Sequence, residues 1–120
     1  MLQEARGFPY ITEMGAGFGG GIGGEQDVCG AIAGAVIAIG YRASLGGGNQ
    51  MEIARAARPA VRDVYEGFQV RFGAVDCLTL IGYDNRDPVQ YEKSHADPER
   101  IAKCRAFKEW VIRRVLADEG

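Results

Sequence analysis

Apolar residues recur at helical spacing along most of the chain, and they alternate with polar residues over no long stretch. Recurrence every three or four positions forms one face of a helix, whereas strict alternation indicates a half-buried strand. The pattern therefore predicts an all-α fold, a small helical bundle. At 120 residues, one domain spanning 1–120 is the ordinary outcome.

The first strong helix signal covers residues 27–40, which carry no charge after the first position. Asp27 is a suitable N-cap, and Gly40 suits a helix C-terminus. Because this stretch is apolar on all faces, we expect a central helix buried on all sides. Gly30 and Gly34 share one face and would let a second backbone approach closely. The same surface continues in small side chains: Ala31, Ala35 and Ala38.

The second predicted helix spans residues 50–72. Asn49 can cap its N-terminus, and Gly73 can end it. Pro59 lies inside the pattern and should kink or interrupt the helix, because proline removes a backbone donor. Its apolar face has helical spacing: Ile53, Ala57, Ala60, Val61, Val64 and Phe68.

Beyond Gly73 the sequence predicts a short helix, a polar loop and a long helix. Asp76 and Gly82 bound the short helix, and residues 83–97 read as the loop. Asp97 is a cap and Pro98 suits the first helical position. The last helix carries one apolar stripe: Ile101, Cys104, Phe107, Val111 and Val115. Phe107 and Trp110 are expected to dock this helix.

The N-terminal region gives weaker signals: a short helix at 1–6, then glycine-dominated residues 15–24. Residues 15–20, GAGFGG, match GxGxxG. A dinucleotide-binding loop would need a helix directly after this motif and an acidic residue about twenty positions on. The helix begins only near Asp27, and no acidic residue lies near position 40. We therefore interpret the glycines as tight backbone packing.

Composition excludes several classes of protein. The net charge of −2 gives no electrostatic case for binding nucleic acid. The longest uncharged run after Asp27 has fourteen residues, short of the roughly twenty needed to span a membrane. The N-terminus lacks a basic head followed by an apolar stretch, so no signal peptide is predicted. We expect a cytoplasmic protein without membrane insertion.

The chain has three cysteines and no CxxC motif. Three scattered cysteines do not make a disulfide scaffold, and structural zinc is not expected. Cys29 and Cys77 would each lie in a first helical turn, where free N–H groups stabilise thiolate and lower the pKa from ~8.5. The caps Asp27 and Asp76 would oppose this shift. Cys104 lies on the apolar stripe and matters chemically only if that stripe meets the two helix starts.

Other polar residues are interpreted conservatively. His95, the only histidine, falls in the predicted loop and should face solvent. Arg55, Arg58 and Arg62 share a helix face, which is usually solvated rather than an anion site.

Several segments together resemble one known family. Residues 29–34, CGAIAG, match a CGAxxG signature, and the glycine segment GFGGGIGG precedes it. RFGAVDCLTLIGYD and KCRAFKEWV resemble two further cysteine-containing segments. From about residue 15 to 116 the chain is similar to the C-GCAxxG-C-C family, whose members are described as redox-active proteins.

The resemblance implies that Cys29, Cys77 and Cys104 occupy three of four cysteine positions. Gly30, Ala31 and Gly34 complete the motif. The fourth position belongs to an N-terminal helix before the glycines, and no cysteine precedes Cys29 here. We therefore expect a member lacking the N-terminal cysteine segment. A four-thiolate metal site would need another kind of ligand or a second subunit.

Three hypotheses follow. The first is a redox-active thiol protein with a thiol–disulfide or an electron-transfer role, in which Cys29 is the nucleophilic or electron-accepting thiolate and Cys77 and Cys104 are its resolving partners; its redox partner is not specified by the sequence. The second is a metal or iron–sulfur site on the same thiolates, since soft thiolates select such metals. The third is a non-catalytic helical module, including a homo-oligomer that uses the small-residue helix.

Overall fold

The computed structural model describes residues 12–117, which form a bundle of helices with no strand among them. A 3₁₀ helix, Thr12–Phe18, leads into the bundle. The α-helices are α1 Gly30–Ser44, α2 Gln50–Phe72, α3 Cys77–Ile81, α4 Pro88–Ala96 and α5 Pro98–Ala117. The all-α prediction is confirmed, and the short helix predicted at 1–6 lies outside the described residues.

Helix α1 is the centre of the bundle and packs against α2, α5 and the 3₁₀ helix. Its small and branched side chains are buried, as predicted: Ala31, Ile32, Ala35, Ala38 and Ile39. Burial is not complete on all sides, because Val36 is 42% exposed. No helix in the described part of the chain combines the length and apolarity needed to cross a membrane.

An aromatic cluster joins α2 to α5. The ring of Phe68 lies 5.5 Å from that of Phe107 and 5.9 Å from that of Trp110. Phe72 completes the cluster at 4.9 Å from Phe107. A Cβ at Gly67 would lie 3.0 Å from the Trp110 ring, so glycine makes room for the indole. The predicted docking of the last helix by Phe107 and Trp110 is confirmed.

Most predicted helix ends are observed. Asn49 caps α2 through a reciprocal pair of hydrogen bonds with Glu52. Gly73 ends α2 with φ of 87° and Gly82 ends α3 with φ of 74°, both in the left-handed region that glycine adopts readily. Helix α2 continues through Pro59, so the helix is not interrupted there, and a kink at Pro59 stays a prediction.

The predicted ends of α1 are wrong. The helix begins at Gly30 with Cys29 as N-cap, and it ends at Ser44. Asp27 does not cap it, because the backbone there is paired with a remote segment described below. Gly40 does not end it, because the next residues are compatible with a helix and the carbonyls of Arg42 and Ala43 are satisfied in the turn that follows.

The predicted polar loop at 83–97 is also wrong, because it contains α4. Asp87 caps this helix by accepting from the N–H groups of Val89 and Gln90, and Pro88 occupies its first position. Ser94 is the one residue of α4 that is fully buried. Because its one buried side chain is polar, α4 shows no apolar stripe in the sequence.

The glycine segment, residues 15–24, leaves the 3₁₀ helix and turns in the left-handed sense. Residues 20–24 have φ values between 61° and 78°, including the non-glycine Ile22 at 68°. Gly21 is the most constrained position: a Cβ there would lie 2.7–2.8 Å from backbone atoms of Gln26 and Asp27. Gly20 and Gly21 therefore serve tight backbone packing, as predicted, whereas a Cβ at Gly17, Gly23 or Gly24 would meet no atom within 4 Å.

Candidate functional site: a cavity lined by three thiols

Two remote stretches, residues 26–29 and 75–78, lie antiparallel at the site. Val28 and Asp76 form a β-bridge. The hydrogen bonds beside it run from Cys29 N to Val75 O at 2.8 Å and from Cys77 N to Asp27 O at 2.7 Å. Cys29 and Cys77 each follow the bridged pair by one residue. Because successive side chains of paired strands point to opposite faces, both cysteines are directed to the same face.

The buried side chain of Gln26 links the first of these two stretches to the residues that follow the second. It is 4% exposed and adopts φ of 57°. Its Nε2 donates to the carbonyl of Tyr83 at 2.6 Å and lies 4.0 Å from Cys77 Sγ, while its Oε1 accepts from Asn85 N at 2.8 Å. The role of Gln26 has no signal in the sequence, because all three partners lie more than fifty positions away in the chain.

The three cysteines line one cavity of about 460 Å³, which we call the thiol cavity. Cys29 reaches it from the N-terminus of α1, Cys77 from the start of α3 and Cys104 from the middle of α5. The glycine segment forms another wall. All three thiols are free and half-buried. The fold thus brings together the three cysteines that the sequence analysis singled out.

Cys104 is not sealed in the core, because Arg100 lies beside it. One guanidinium nitrogen of Arg100 is 3.7 Å from Cys104 Sγ, and its Nε donates to the carbonyl of Ser94 at 2.9 Å. The second bond anchors Arg100 to α4. Arg100 also lines the cavity. The signal for it was available in the sequence, since residues four apart on a helix are neighbours.

The environment of Cys29 raises the pKa of its thiol. Burial is the largest cause, and it outweighs the effect of the nearby backbone N–H groups of Ala31 and Ile32, which act to lower the pKa. Cys77 and Cys104 raise it further by charge repulsion. The prediction of a lowered pKa at this helix start is therefore wrong, because desolvation penalises the thiolate more than the helix end stabilises it.

The pKa of Cys77 is also raised, again mainly by burial. The Gln26 side chain lowers it, Cys104 raises it, Arg100 lowers it and Asp76 raises it. The predicted opposition from the Asp76 carboxylate has the right sign. The expected net decrease is wrong for the same reason as at Cys29.

The motif residues beside Cys29 have different roles. A Cβ at Gly30 would lie 3.0 Å from the carbonyl oxygen of Phe18, so this glycine does permit the close backbone approach that was predicted. A Cβ at Gly34 would meet no atom within 4 Å. Gly34 lines the thiol cavity instead, which corrects its predicted packing role. Ala31 is buried against the core.

The remaining polar candidates are exposed, as predicted. His95 is exposed on the last turn of α4, with its Nδ1 2.9 Å from the carbonyl of Tyr91 and its ring 4.0 Å from the Tyr91 ring. It also contributes to the wall of the thiol cavity. The arginine face on α2 is exposed as well: Arg55, Arg58 and Arg62.

The thiols do not form a recognisable metal centre. Across residues 12–117, no three side chains of His, Cys, Asp or Glu are arranged to hold one metal ion. The metal and iron–sulfur hypothesis therefore stays a prediction that no arrangement within the described part of the chain favours.

Comparison with known proteins gives one match. The family model described as "Putative redox-active protein (C_GCAxxG_C_C)" matches residues 1–117. No curated protein and no solved structure matches the chain. The matched region includes Cys29, Cys77 and Cys104, the three thiols that line the cavity. The chain therefore belongs to the C_GCAxxG_C_C family of redox-active proteins.

Proposed function

We propose that this protein carries out thiol–disulfide exchange in the thiol cavity. One observation carries the proposal: three cysteines from the starts of α1 and α3 and from α5 line a single cavity. Exchange requires a thiolate and a second sulfur within reach. The β-bridge between Val28 and Asp76 directs Cys29 and Cys77 to the same face, and Cys104 lines the same cavity from α5.

Cys29 is the attacking thiol in this proposal. Cys29 is the N-cap of α1, and the backbone N–H groups of Ala31 and Ile32 in the first turn act to lower the pKa of its thiol, which favours the anion as it forms. Burial raises the pKa of Cys29 and so makes its thiolate scarce. A thiolate of higher pKa is more nucleophilic once formed. Cys29 is therefore ionised in a smaller fraction of molecules, but its thiolate is more reactive.

The reaction balances with a disulfide as the oxidant. The Cys29 thiolate attacks one sulfur of the substrate, the substrate S–S bond breaks, and a mixed disulfide forms. The Cys77 thiolate then attacks Cys29 Sγ, which closes a protein disulfide and releases the second substrate thiolate. Two electrons pass from the two cysteines to the substrate, and the two cysteine protons are taken up by the product thiolates through solvent.

The surroundings of Cys77 suit a resolving thiol. The Gln26 side chain and the Arg100 charge both lower its pKa, against the larger effect of burial. Cys104, beside Arg100, is the alternative resolving thiol. The homo-oligomer and interaction-module hypotheses stay predictions.

The test equilibrates the protein in mixtures of reduced and oxidised dithiothreitol, quenches with acid and counts free thiols. We expect two of the three thiols to disappear in a single two-electron transition and to return on reduction. Cys29→Ser should abolish that transition, and circular dichroism should show that the variant stays folded. Three thiols that remain titratable under every oxidising mixture would overturn the proposal.

A further inference from the structure

The thiol cavity has a positively charged wall. Arg100 and Lys108, both on α5, line it together with His95. No carboxylate of the described residues does so. A cation on a concave surface raises the local concentration of anionic molecules.

The two α5 cations flank a thiol. Arg100, Cys104 and Lys108 are spaced four residues apart, so they lie in one row along the helix. Arg100 contacts the carbonyl of Ser94 and the sulfur of Cys104, but no carboxylate within residues 12–117 pairs with it. Nor does any carboxylate in this range pair with Lys108. Within the described part of the protein, the cations of this wall therefore form no direct ion pair.

An acceptor with no partner belongs to a residue of the same cavity. Asn85 lines it, and its buried Oδ1 has no hydrogen-bond partner among the described residues. That oxygen is buried out of reach of a ligand in the cavity, which leaves Arg100 and Lys108 as the ligand-binding groups of this wall. A volume of about 460 Å³ is in the range of small-molecule pockets.

We infer that the substrate is a small disulfide bearing a carboxylate, held by Lys108 and Arg100 with its sulfurs beside the three thiols. The inference rests on the proposed thiol–disulfide exchange and specifies its substrate class. Lys108 is the binding residue that tests it most cleanly, because it has no contact with a cysteine sulfur in the structure. Arg100 has a second effect, on the pKa of Cys77.

The experiment compares three disulfides with the reduced protein: 3,3′-dithiodipropionate, which carries two carboxylates, neutral bis(2-hydroxyethyl) disulfide, and cationic cystamine. Each rate constant is divided by the rate constant of the same disulfide with free 2-mercaptoethanol, which removes intrinsic reactivity. We expect the corrected rate constants to fall in the order anionic, neutral, cationic. Lys108→Gln should lower the corrected rate constant of the anionic disulfide by about three- to fivefold relative to that of the neutral disulfide.

Arg105→Gln is the matched control. Arg105 is exposed on the same helix and does not line the cavity, so its loss changes net charge equally without changing the cavity wall. Equal corrected rates for all three disulfides, or equal effects of Lys108→Gln and Arg105→Gln, would overturn the substrate inference and leave exchange intact. No reaction with any disulfide, while the urea-unfolded protein reacts, would overturn the proposed function itself.

Discussion

The side-chain Nε2 of Gln26 donates a 2.6 Å hydrogen bond to the carbonyl oxygen of Tyr83. This bond joins the segment that precedes Cys29 to the chain that leaves α3. A bond from the backbone N–H of Asn85 to Gln26 Oε1 adds a second link. The buried amide thus fixes the two stretches whose pairing places Cys29 and Cys77 in one cavity.

Replacing Gln26 should lower the stability of the protein and slow the alkylation of Cys77. Gln26→Ala leaves the partly buried carbonyl of Tyr83 without its partner, so we expect the free energy of unfolding to fall by about 1–3 kcal/mol. Because the Gln26 side chain lowers the pKa of Cys77, alkylation of Cys77 by iodoacetamide at pH 8 should also slow. Urea denaturation and mass spectrometry measure the two effects.

Gln69→Ala is the control for this prediction, because Gln69 is exposed on α2. It should change neither quantity appreciably. If Gln26→Ala behaved like Gln69→Ala, the hydrogen bonds of the Gln26 side chain would contribute neither to the free energy of unfolding nor to the reactivity of Cys77.

Asp76 has two separable roles, as a helix cap and as a charge. Its carboxylate accepts from the N–H and hydroxyl of Thr79, and it raises the pKa of Cys77. Asp76→Asn keeps a capping oxygen but removes the charge, so alkylation of Cys77 should become faster at pH 8 with little loss of stability. Asp76→Ala removes both and should cost about 0.5–2 kcal/mol.

The two variants are compared by thermal unfolding and by the rate of Cys77 alkylation. Slower alkylation of Cys77 in Asp76→Asn than in the native protein would contradict the predicted effect of the Asp76 charge. An Asp76→Ala variant as stable as the native protein would contradict the capping part.

Local signals in the sequence predicted much of the fold. Asn49, Asp76 and Asp97 were identified as caps, because capping depends on residues within one helical turn. Asp87 carries the same signal before Pro88, but α4 buries too little apolar surface to show helical periodicity. Asp27 failed as a cap because a backbone pairing with residues 75–78 holds it outside the helix.

The cysteines of the site could be predicted from the sequence, but the pKa shifts of their thiols could not. Resemblance and helix starts identified the cysteines, but the direction of their pKa shifts depends on burial, which sequence does not display. The spacing of four residues between Arg100 and Cys104 is visible in the sequence, but the cavity that gives Arg100 a role is formed together with other helices. Gln26 was missed because its partners come from the distant 77–85 region.

Two motif glycines should respond oppositely to alanine. In Gly34→Ala the new methyl meets no atom within 4 Å, so the variant should gain about 0.5–1 kcal/mol from better helix propensity. In Gly30→Ala the methyl would lie 3.0 Å from the Phe18 carbonyl oxygen, and overpacking should cost about 1–3 kcal/mol. Urea denaturation of the two variants measures both effects. Equal stability of the two variants would contradict the close approach at Gly30.

Stability should decline at alkaline pH. The thiols of Cys29 and Cys77 have an ordinary pKa of 9.0 and a higher pKa in the folded protein. Well below pH 9.0 both states hold these protons, so the thiols contribute nothing to the pH dependence. Above it the unfolded state releases protons that the folded state retains, so the free energy of unfolding falls as pH rises toward the folded pKa.

The measurement is urea denaturation at intervals from pH 7.5 to about 10, with the Cys29→Ala, Cys77→Ala double variant as reference. The double variant should show a shallower decline than the native protein. Identical slopes would mean that burial does not disfavour the two thiolates.

The most direct test of the central claim is a map of the disulfide formed on oxidation. Trypsin separates the three cysteines into the peptides 7–42, 72–86 and 104–105. After oxidation with dithiothreitol disulfide and alkylation of the remaining thiols, mass spectrometry should find peptide 7–42 linked to peptide 72–86 within one chain, and dithiothreitol should release the link. If all three peptides carry only alkylated cysteine, the thiols do not act together and the redox account is wrong.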